Sequence, residues 1–419
     1  MNLENNYLES HFDEVRGQFE LLNHWNYLNA ADQMIPGNYW LKACHDFYDF
    51  QAKGRTEDIP NPDIATHPFL MQKTFEAVRK SAKFIHADSD EVTLMYRPML
   101  ACNLIVNMID WKKGDNVVFT DLDYPSFPFI FEGLREKYGV ELRILKNVKG
   151  EILMEDMEKN IDDNTKLVSI NRTTAFCGFT YDVKLVCEMA HKHGALVLDD
   201  AIQALGAIDI NVHEDNVDFL VSGSYKWQCG PEGAGIFYIR RDLITKFTPQ
   251  FRNYQAIELP GGMVPFARAD HDNMTSWAYP LVKTAYRFCQ DVVLGPAVFG
   301  WVATLDFYDK IGIDNVEKRV RTLGQYAVKR LEDIGCVLQH PTDPTKMHGL
   351  LTYSTGSDER DSLSFKRFMG PPLGQKPIKI SQRALGGAGG IRVSTHFFNT
   401  EEDIDELVKV QKELMVKKL

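Results

Sequence analysis

A chain of 419 residues with 44% hydrophobic and 25% charged residues is long enough for two packed cores and excludes a disordered or fibrous protein. Its formal net charge of −11 argues against nucleic acid or an anionic membrane as partner, because clustered Lys and Arg supply that affinity; a small molecule is expected instead. The cysteines (Cys44, Cys102, Cys177, Cys187, Cys229, Cys289 and Cys336) are odd in number and never paired at metal-ligand spacing, as expected of reduced thiols in a cytosol.

In chain order, the acidic start Met1-Asn-Leu-Glu-Asn-Asn-Tyr-Leu-Glu-Ser10 lacks the basic and apolar parts of a signal peptide, so a cytoplasmic location is expected. From about residue 75, amphipathic helices alternate with short apolar strands, the pattern of a mainly parallel sheet covered on both faces. Residues 114–120 read as turn then strand, 128–138 as a helix, and 140–145 and 166–170 as strands. A helix over 183–193 precedes the strand 195–199, which delivers Asp200 to a carboxyl end, where such sheets bind ligands. Residues 230–235 read as a turn into an antiparallel strand over 236–239. The apolar run 292–305 is too short to span a bilayer and contains Gly295-Pro296, so it reads as a buried helix. A helix-like stretch over 298–310 then leads to a C-terminal α+β region beginning with a helix over 316–334. The resulting expectation is an α/β chain with a large domain over 31–289 and a smaller one built from 1–30 and 290–419.

The chemistry centres on Lys226, in Asp218-Phe-Leu-Val-Ser-Gly-Ser-Tyr-Lys226-Trp227. Flanked by Tyr225 and Trp227, it lies where a solvated lysine is uncomfortable. An amine to hold an aldehyde, a carboxylate for a pyridine nitrogen and donors for a phosphate are what pyridoxal 5'-phosphate requires of a protein. Lys226, the upstream Asp200 and the glycine-rich turn after the lysine match that layout. Asp200 would keep the pyridine nitrogen protonated, and Gln203 would donate to the ring hydroxyl. Helix capping by Asp199-Asp200 is the competing reading, against which Lys226 weighs.

Two runs carry a specific resemblance: Val197-Leu-Asp-Asp200-Ala-Ile-Gln203-Ala-Leu-Gly206, and Val217 through Lys226-Trp-Gln-Cys-Gly-Pro-Glu-Gly-Ala-Gly235. With Tyr27-Leu-Asn-Ala-Ala31 and Gly390-Ile-Arg392-Val-Ser-Thr-His-Phe-Phe-Asn399, they resemble the class V aminotransferase family of fold-type I pyridoxal-phosphate enzymes. That family includes cysteine desulfurases, isopenicillin-N epimerase-like enzymes, kynureninases and C–S lyases.

The resemblance implies a fold-type I architecture, with a mainly parallel seven-stranded sheet between helices and a smaller α+β domain, in a homodimer. By it, Lys226 forms the Schiff base, Asp200 pairs with the pyridine nitrogen, Gln203 contacts the ring oxygen and Tyr124 covers the ring. Arg392 grips the substrate α-carboxylate, for which a planar fork is suited; a structural ion pair with the acidic run 401–406 is the alternative.

Departures from the family pattern also appear. The Thr-rich phosphate loop is replaced by Met95-Tyr-Arg97-Pro98-Met99, where helix-start N–H groups and Arg97 would hold phosphate. Ser224 and Tyr225 stand where many relatives have His before the lysine, and offer two hydroxyl donors. The segment 287–292 lacks the Gly-Thr that reaches a neighbouring subunit's phosphate. The histidine pairs His191/His193 and His213 with Asp215 find no convincing partners, so no metal is expected. The run 386–390 reads as a flexible loop before Arg392.

Persulfide-forming desulfurases carry a nucleophilic Cys on the loop preceding their Arg-Xaa-Ser motif, and no Cys follows Cys336 here. The leading reading is therefore a lyase that cleaves an amino-acid side chain by β-elimination or a related route. Aminotransfer and epimerisation are the alternatives, followed by a kynureninase-like hydrolase and a non-catalytic scaffold that kept the fold.

Overall fold

The computed structural model describes residues 6–53, 66–258, 280–291 and 294–416. Strand β1 (Asn26–Tyr27) comes first, and the next seven strands form one sheet: β2 (Val92–Met95), β3 (Asn116–Thr120), β4 (Glu141–Leu145), β5 (Thr165–Asn171), β6 (Leu196–Asp200), β7 (Phe219–Gly223) and β8 (Gly235–Ile239). The order across it is β2-β8-β7-β6-β5-β3-β4. The run from β4 to β7 is parallel, while β8 pairs antiparallel with both β7 and β2. Strands β3, β7 and β8 are buried along their whole length, because helices cover both faces, whereas the edge strand β4 exposes Glu141 and Ile144.

Every helix and strand read from the sequence in this region is present, with ends shifted by a few residues. The helix Val183–His191 starts at Asp182, whose carboxylate accepts the Leu185 N–H at 3.1 Å, a side-chain N-cap.

The smaller antiparallel sheet, ordered β12-β13-β10-β9, contains β9 (Val337–Leu338), β10 (Leu350–Ser354), β12 (Ser381–Leu385) and β13 (Ala388–Ser394). Strand β11 (Ile378–Lys379) pairs in parallel with β1 and ties the N-terminal segment to this part of the molecule. Residues 386–390, expected as a flexible loop, instead belong to the β12–β13 hairpin. Leu385 faces Ala388 across Gly386 and Gly387, whose φ values of 60° and 79° suit the two-residue turn that matches strand twist. The Gly386 carbonyl accepts from Asn147 Nδ2 at 2.7 Å, docking the hairpin tip on the large sheet's loops.

The helix Gly295–Ile311, placed beyond the expected boundary near 290, buries Val298, Trp301, Val302 and Leu305 in one core with Val168, Val197 and Ile236 of the large sheet. Val292, the last residue of the segment 287–292 that lacks the Gly-Thr, lies outside the described residues. No described helix is long and apolar enough to cross a membrane.

Candidate active site

In a parallel sheet, the strands on either side of the point where chain order reverses open their carboxyl ends to a crevice. Here that point lies between β5 and β3. Thr120 ends β3 and leads to Tyr124, Asn171 ends β5, Asp200 ends β6, and the loop after β7 carries Lys226. Asn171 and Asp200 are register partners, so the two side chains lie abreast at one rim. Between them opens a cavity of about 430 Å³, lined also by Ala31, Asp32, Phe176, Gln203, Arg383 and Arg392.

Asp200 is 2% exposed, and its carboxylate accepts the Ile202 N–H at 3.1 Å. Burial pushes its pKa up, against the pull of that N–H and of Lys226. Lys226 is pushed down by burial and by the charge of Arg392, against the pull of Asp200 and Asp32, toward the neutral amine that a nucleophile or base requires. Its Nζ stands 5.9 Å from the centroid of the Tyr124 ring. The Tyr225 carbonyl next to the lysine accepts the Met34 N–H at 2.9 Å, which fixes the loop against the N-terminal segment.

Arg392 is 3% exposed and does not pair with the acidic run 401–406; Arg16 binds Asp403 and Arg330 binds Asp405 instead. Its Nη1 donates to the Ala175 carbonyl at 2.7 Å and its Nε to Ser381 Oγ at 3.0 Å, while Nη2 is buried with no hydrogen-bond partner. Burial, with Arg383 adding to it, lowers the Arg392 pKa to about 10. Asp32 lies 3.9 Å from Nη2 and accepts from Arg383 Nη2 at 3.0 Å. A carboxylate entering the cavity would satisfy the orphaned Nη2.

Asn171 was not anticipated from the sequence. Its Oδ1 accepts the Tyr124 N–H at 2.7 Å, and its Nδ2 is buried without a partner at the cavity. Its position at the end of β5, level with Asp200, was the available signal. Asp32 and Arg383 had none, since a turn near the N-terminus and a hairpin strand meet only through the tertiary fold.

The expected phosphate contacts divide. Arg97, Pro98, Met99 and Tyr225 line the cavity at the start of the helix Pro98–Met108. The Arg97 guanidinium carbon lies 4.6 Å from the Tyr225 ring centroid, and the same group ion-pairs with Glu232. Ser224 turns away: its buried hydroxyl is directed to the Pro231 and Ala234 carbonyls, so it is not a donor to the cavity. No Ser or Thr is among the described cavity-lining residues.

The histidines set aside as metal ligands are engaged locally, His191 with Asp218 and His193 with Asp163. His213 groups with Asp88 and Glu91, where Arg241 already pairs with Asp88.

The sequence profile described as Aminotransferase class-V matches residues 65–407. The chain belongs to that family. The chain is 28% identical over 398 residues to a probable cysteine desulfurase of Halalkalibacterium halodurans, covering 91% of each chain. It is 24% identical to an uncharacterized aminotransferase of Bacillus subtilis, covering 94% of this chain and 97% of that one. Its fold is similar to the apo cysteine desulfurase of Thermococcus onnurineus NA1, with TM-score 0.80, 21% identity and coverage of 96% and 98%. A cystine C–S lyase in complex with cysteine persulfide gives TM-score 0.81 at 18% identity, covering 94% and 99%. As a member of that family, the protein is a pyridoxal-phosphate-dependent enzyme of fold type I.

Its residues fit that cofactor. A buried carboxylate faces the lysine, the unpaired N–H groups of Arg392 and Asn171 wait at the cavity, and Gly223 leaves room for the lining residues Tyr225 and Pro98. A Cβ at Gly223 would lie 2.6 Å from the Tyr225 ring and 3.2 Å from Pro98.

Proposed function

We propose that this enzyme is a lyase that cleaves the side chain of a sulfur-bearing amino acid and releases the sulfur fragment without first storing it on an enzyme cysteine. The observation that carries this reading is the β12–β13 hairpin. Where the family's persulfide-forming members carry a nucleophilic cysteine, this chain has the short turn Gly386-Gly387, and no Cys follows Cys336. Desulfurase and C–S lyase names among the relatives favour a sulfur-bearing substrate.

When bound, pyridoxal phosphate supplies a protonated ring that accepts the electron pair freed at the substrate Cα. The protein's own part follows from the geometry. Arg392 Nη2 and Asn171 Nδ2 take the substrate α-carboxylate and orient the amino acid. Lys226, whose pKa burial lowers, would take the Cα proton, and the sulfur that leaves with the electron pair of the broken C–S bond would receive a proton from it. Asp200 would hold the proton on the ring nitrogen, Gln203 would donate to the ring oxygen and Tyr124 would shield the ring, all three lining the cavity. Arg97, Tyr225 and the first-turn N–H groups of the helix Pro98–Met108 would hold the phosphate, with Pro98 and Met99 shaping that end. A homodimer, a cytoplasmic location and a small domain that begins after Ile311 complete the proposal.

Mass spectrometry of the cofactor and products from a single-turnover mixture with cysteine or cystine tests it. A lyase releases a keto acid and leaves the cofactor as pyridoxal phosphate. Stoichiometric pyridoxamine phosphate recycled by an added keto acid would establish an aminotransferase, and Cα inversion alone an epimerase.

A further inference from the structure

Trp227 follows Lys226 directly and is fully buried. Its indole N–H donates to Gln203 Oε1 at 2.9 Å. An indole nitrogen only donates, so this bond forces the oxygen end of the amide toward Trp227. The other end agrees: Gln203 Nε2 donates to the Ala31 carbonyl at 3.0 Å. Flipping the amide would set N–H against N–H and C=O against C=O at the same time, leaving two buried pairs unsatisfied. One hydrogen of Nε2 is used on Ala31, and the second remains for the cavity that Gln203 lines.

Trp227 is itself held from several directions. Its carbonyl is approached by His396 Nε2 at 2.7 Å and the Tyr308 hydroxyl at 2.7 Å, both acting as donors. Gly206, with φ +94°, passes so close that a Cβ there would lie 2.5 Å from the Trp227 carbonyl oxygen. The ring of His348 packs edge-on against the indole, with centroids 4.8 Å apart. The indole therefore cannot swing away from Gln203 without disturbing the core behind the site.

We infer that Trp227 is a positioning residue which, by fixing the sense of the Gln203 amide, makes position 203 a permanent hydrogen-bond donor to an acceptor oxygen on the ring of the bound cofactor. The inference rests on the cofactor reading above and goes beyond it by assigning a role to a residue that faces away from the cavity. Trp227 thereby selects a ring that carries an oxygen over one that lacks it.

The test is a cycle between the residue and one ligand atom. Holoenzyme and reconstituted Trp227→Phe protein are titrated with pyridoxal phosphate and with its 3-deoxy analogue, in the wild-type and Gln203→Leu backgrounds. Phe keeps an aromatic ring at the position and drops the N–H, with some loss of packing that both ligands would feel equally. The wild-type chain is expected to prefer pyridoxal phosphate, and Trp227→Phe to weaken its binding roughly three- to tenfold while leaving the deoxy analogue unchanged. The pH midpoint of the bound cofactor's visible band should move as well. In the Gln203→Leu background, Trp227→Phe should change neither reading further.

An equal loss for both ligands, or the same loss in both backgrounds, would mean general packing and overturn the inference. So would a Trp227→Phe protein identical to wild type. If Trp227→Phe does not fold, 3-benzothienylalanine at 227, which replaces the N–H by sulfur in the same outline, is judged by the same criteria. A wild-type chain that takes up no cofactor overturns the functional reading and this inference together, whereas normal uptake without the Trp227 effect overturns the inference alone.

Discussion

Asp199 and Asp200 are consecutive residues of β6, yet their carboxylates serve opposite faces of the sheet. Asp199 accepts from Arg172 Nε at 2.8 Å, and that arginine also pairs with Asp215 at 2.8 Å, forming a buried network behind the strand. Asp200 faces Lys226 across the cavity. Strand alternation alone turns one acid into a structural anchor and the other into a site residue.

The two acids should consequently fail in different ways. Asp200→Asn should fold with near-native stability and lose most of kcat, because the ring nitrogen would no longer hold its proton. Asp199→Asn should strip Arg172 of its main buried partner, at a cost of about 3–5 kcal/mol. Thermal melts and kcat measured on both variants check this; reversed phenotypes would exchange the roles of the two acids.

Lys226→Ala should abolish turnover and the visible band of the bound cofactor. Borohydride treatment of the native enzyme followed by peptide mapping should place the label on Lys226, and a label on any other lysine would sink the assignment.

How much of this could be read from the chain depended on how local each signal was. Asp200 and Lys226 were legible because a strand end and an apolar, aromatic setting are properties of short windows. Arg392 was legible only through its motif, and its unpaired Nη2 became visible once Ala175 and Ser381 were seen to occupy the other nitrogens. Asn171 required the β5–β6 register, and Asp32 with Arg383 required the meeting of segments 351 residues apart. Ser224 was misread because sequence says that a hydroxyl is present but not which way it points; the turn carbonyls of Pro231 and Ala234 claim it. Gly386-Gly387 was misread as a loop although a two-glycine turn between short strands is a hairpin signal.

Arg392→Ala should lower kcat/KM by roughly ten- to a hundredfold, since a charge-assisted contact is worth about 1.5–3 kcal/mol. An amine that lacks the α-carboxylate should be indifferent to the change. Equal losses for both ligands would make the arginine structural.

The contribution of Asp123 to apoprotein stability should fade as pH rises from about 4 to about 7, against the opposite contribution of the buried His340, His348 and His396, whose pKa values burial lowers. Burial lifts this carboxyl from the ordinary carboxylate range to about 7, although the Thr120 hydroxyl and N–H bind its charged form. A carboxyl whose pKa is higher folded than unfolded binds more protons in the native state across that window, so its contribution is present at low pH and fades as pH climbs through the folded value. Denaturant melts of wild type and Asp123→Asn across this range check the sign: the stability of the variant relative to wild type should increase as pH rises, and parallel curves would remove Asp123 from the account.

Catalysis should need no thiol. Cys177 and Cys229, the cysteines nearest the site motifs in sequence, are fully buried, and neither lines the cavity. Burial pushes both thiols up, away from the thiolate that nucleophilic attack on sulfur requires. Cys336, the last cysteine of the chain, packs in the core of the smaller sheet with Leu351 and Ile391. An enzyme with Cys177 and Cys229 replaced by Ala should therefore keep its kcat, apart from losses that track reduced stability. Its sulfur product should appear in solution as a small molecule, and intact-protein mass spectrometry during turnover should show no added sulfur. A mass increase of one sulfur atom that vanishes with one of these substitutions, together with the activity, would replace direct release by transfer through a protein persulfide.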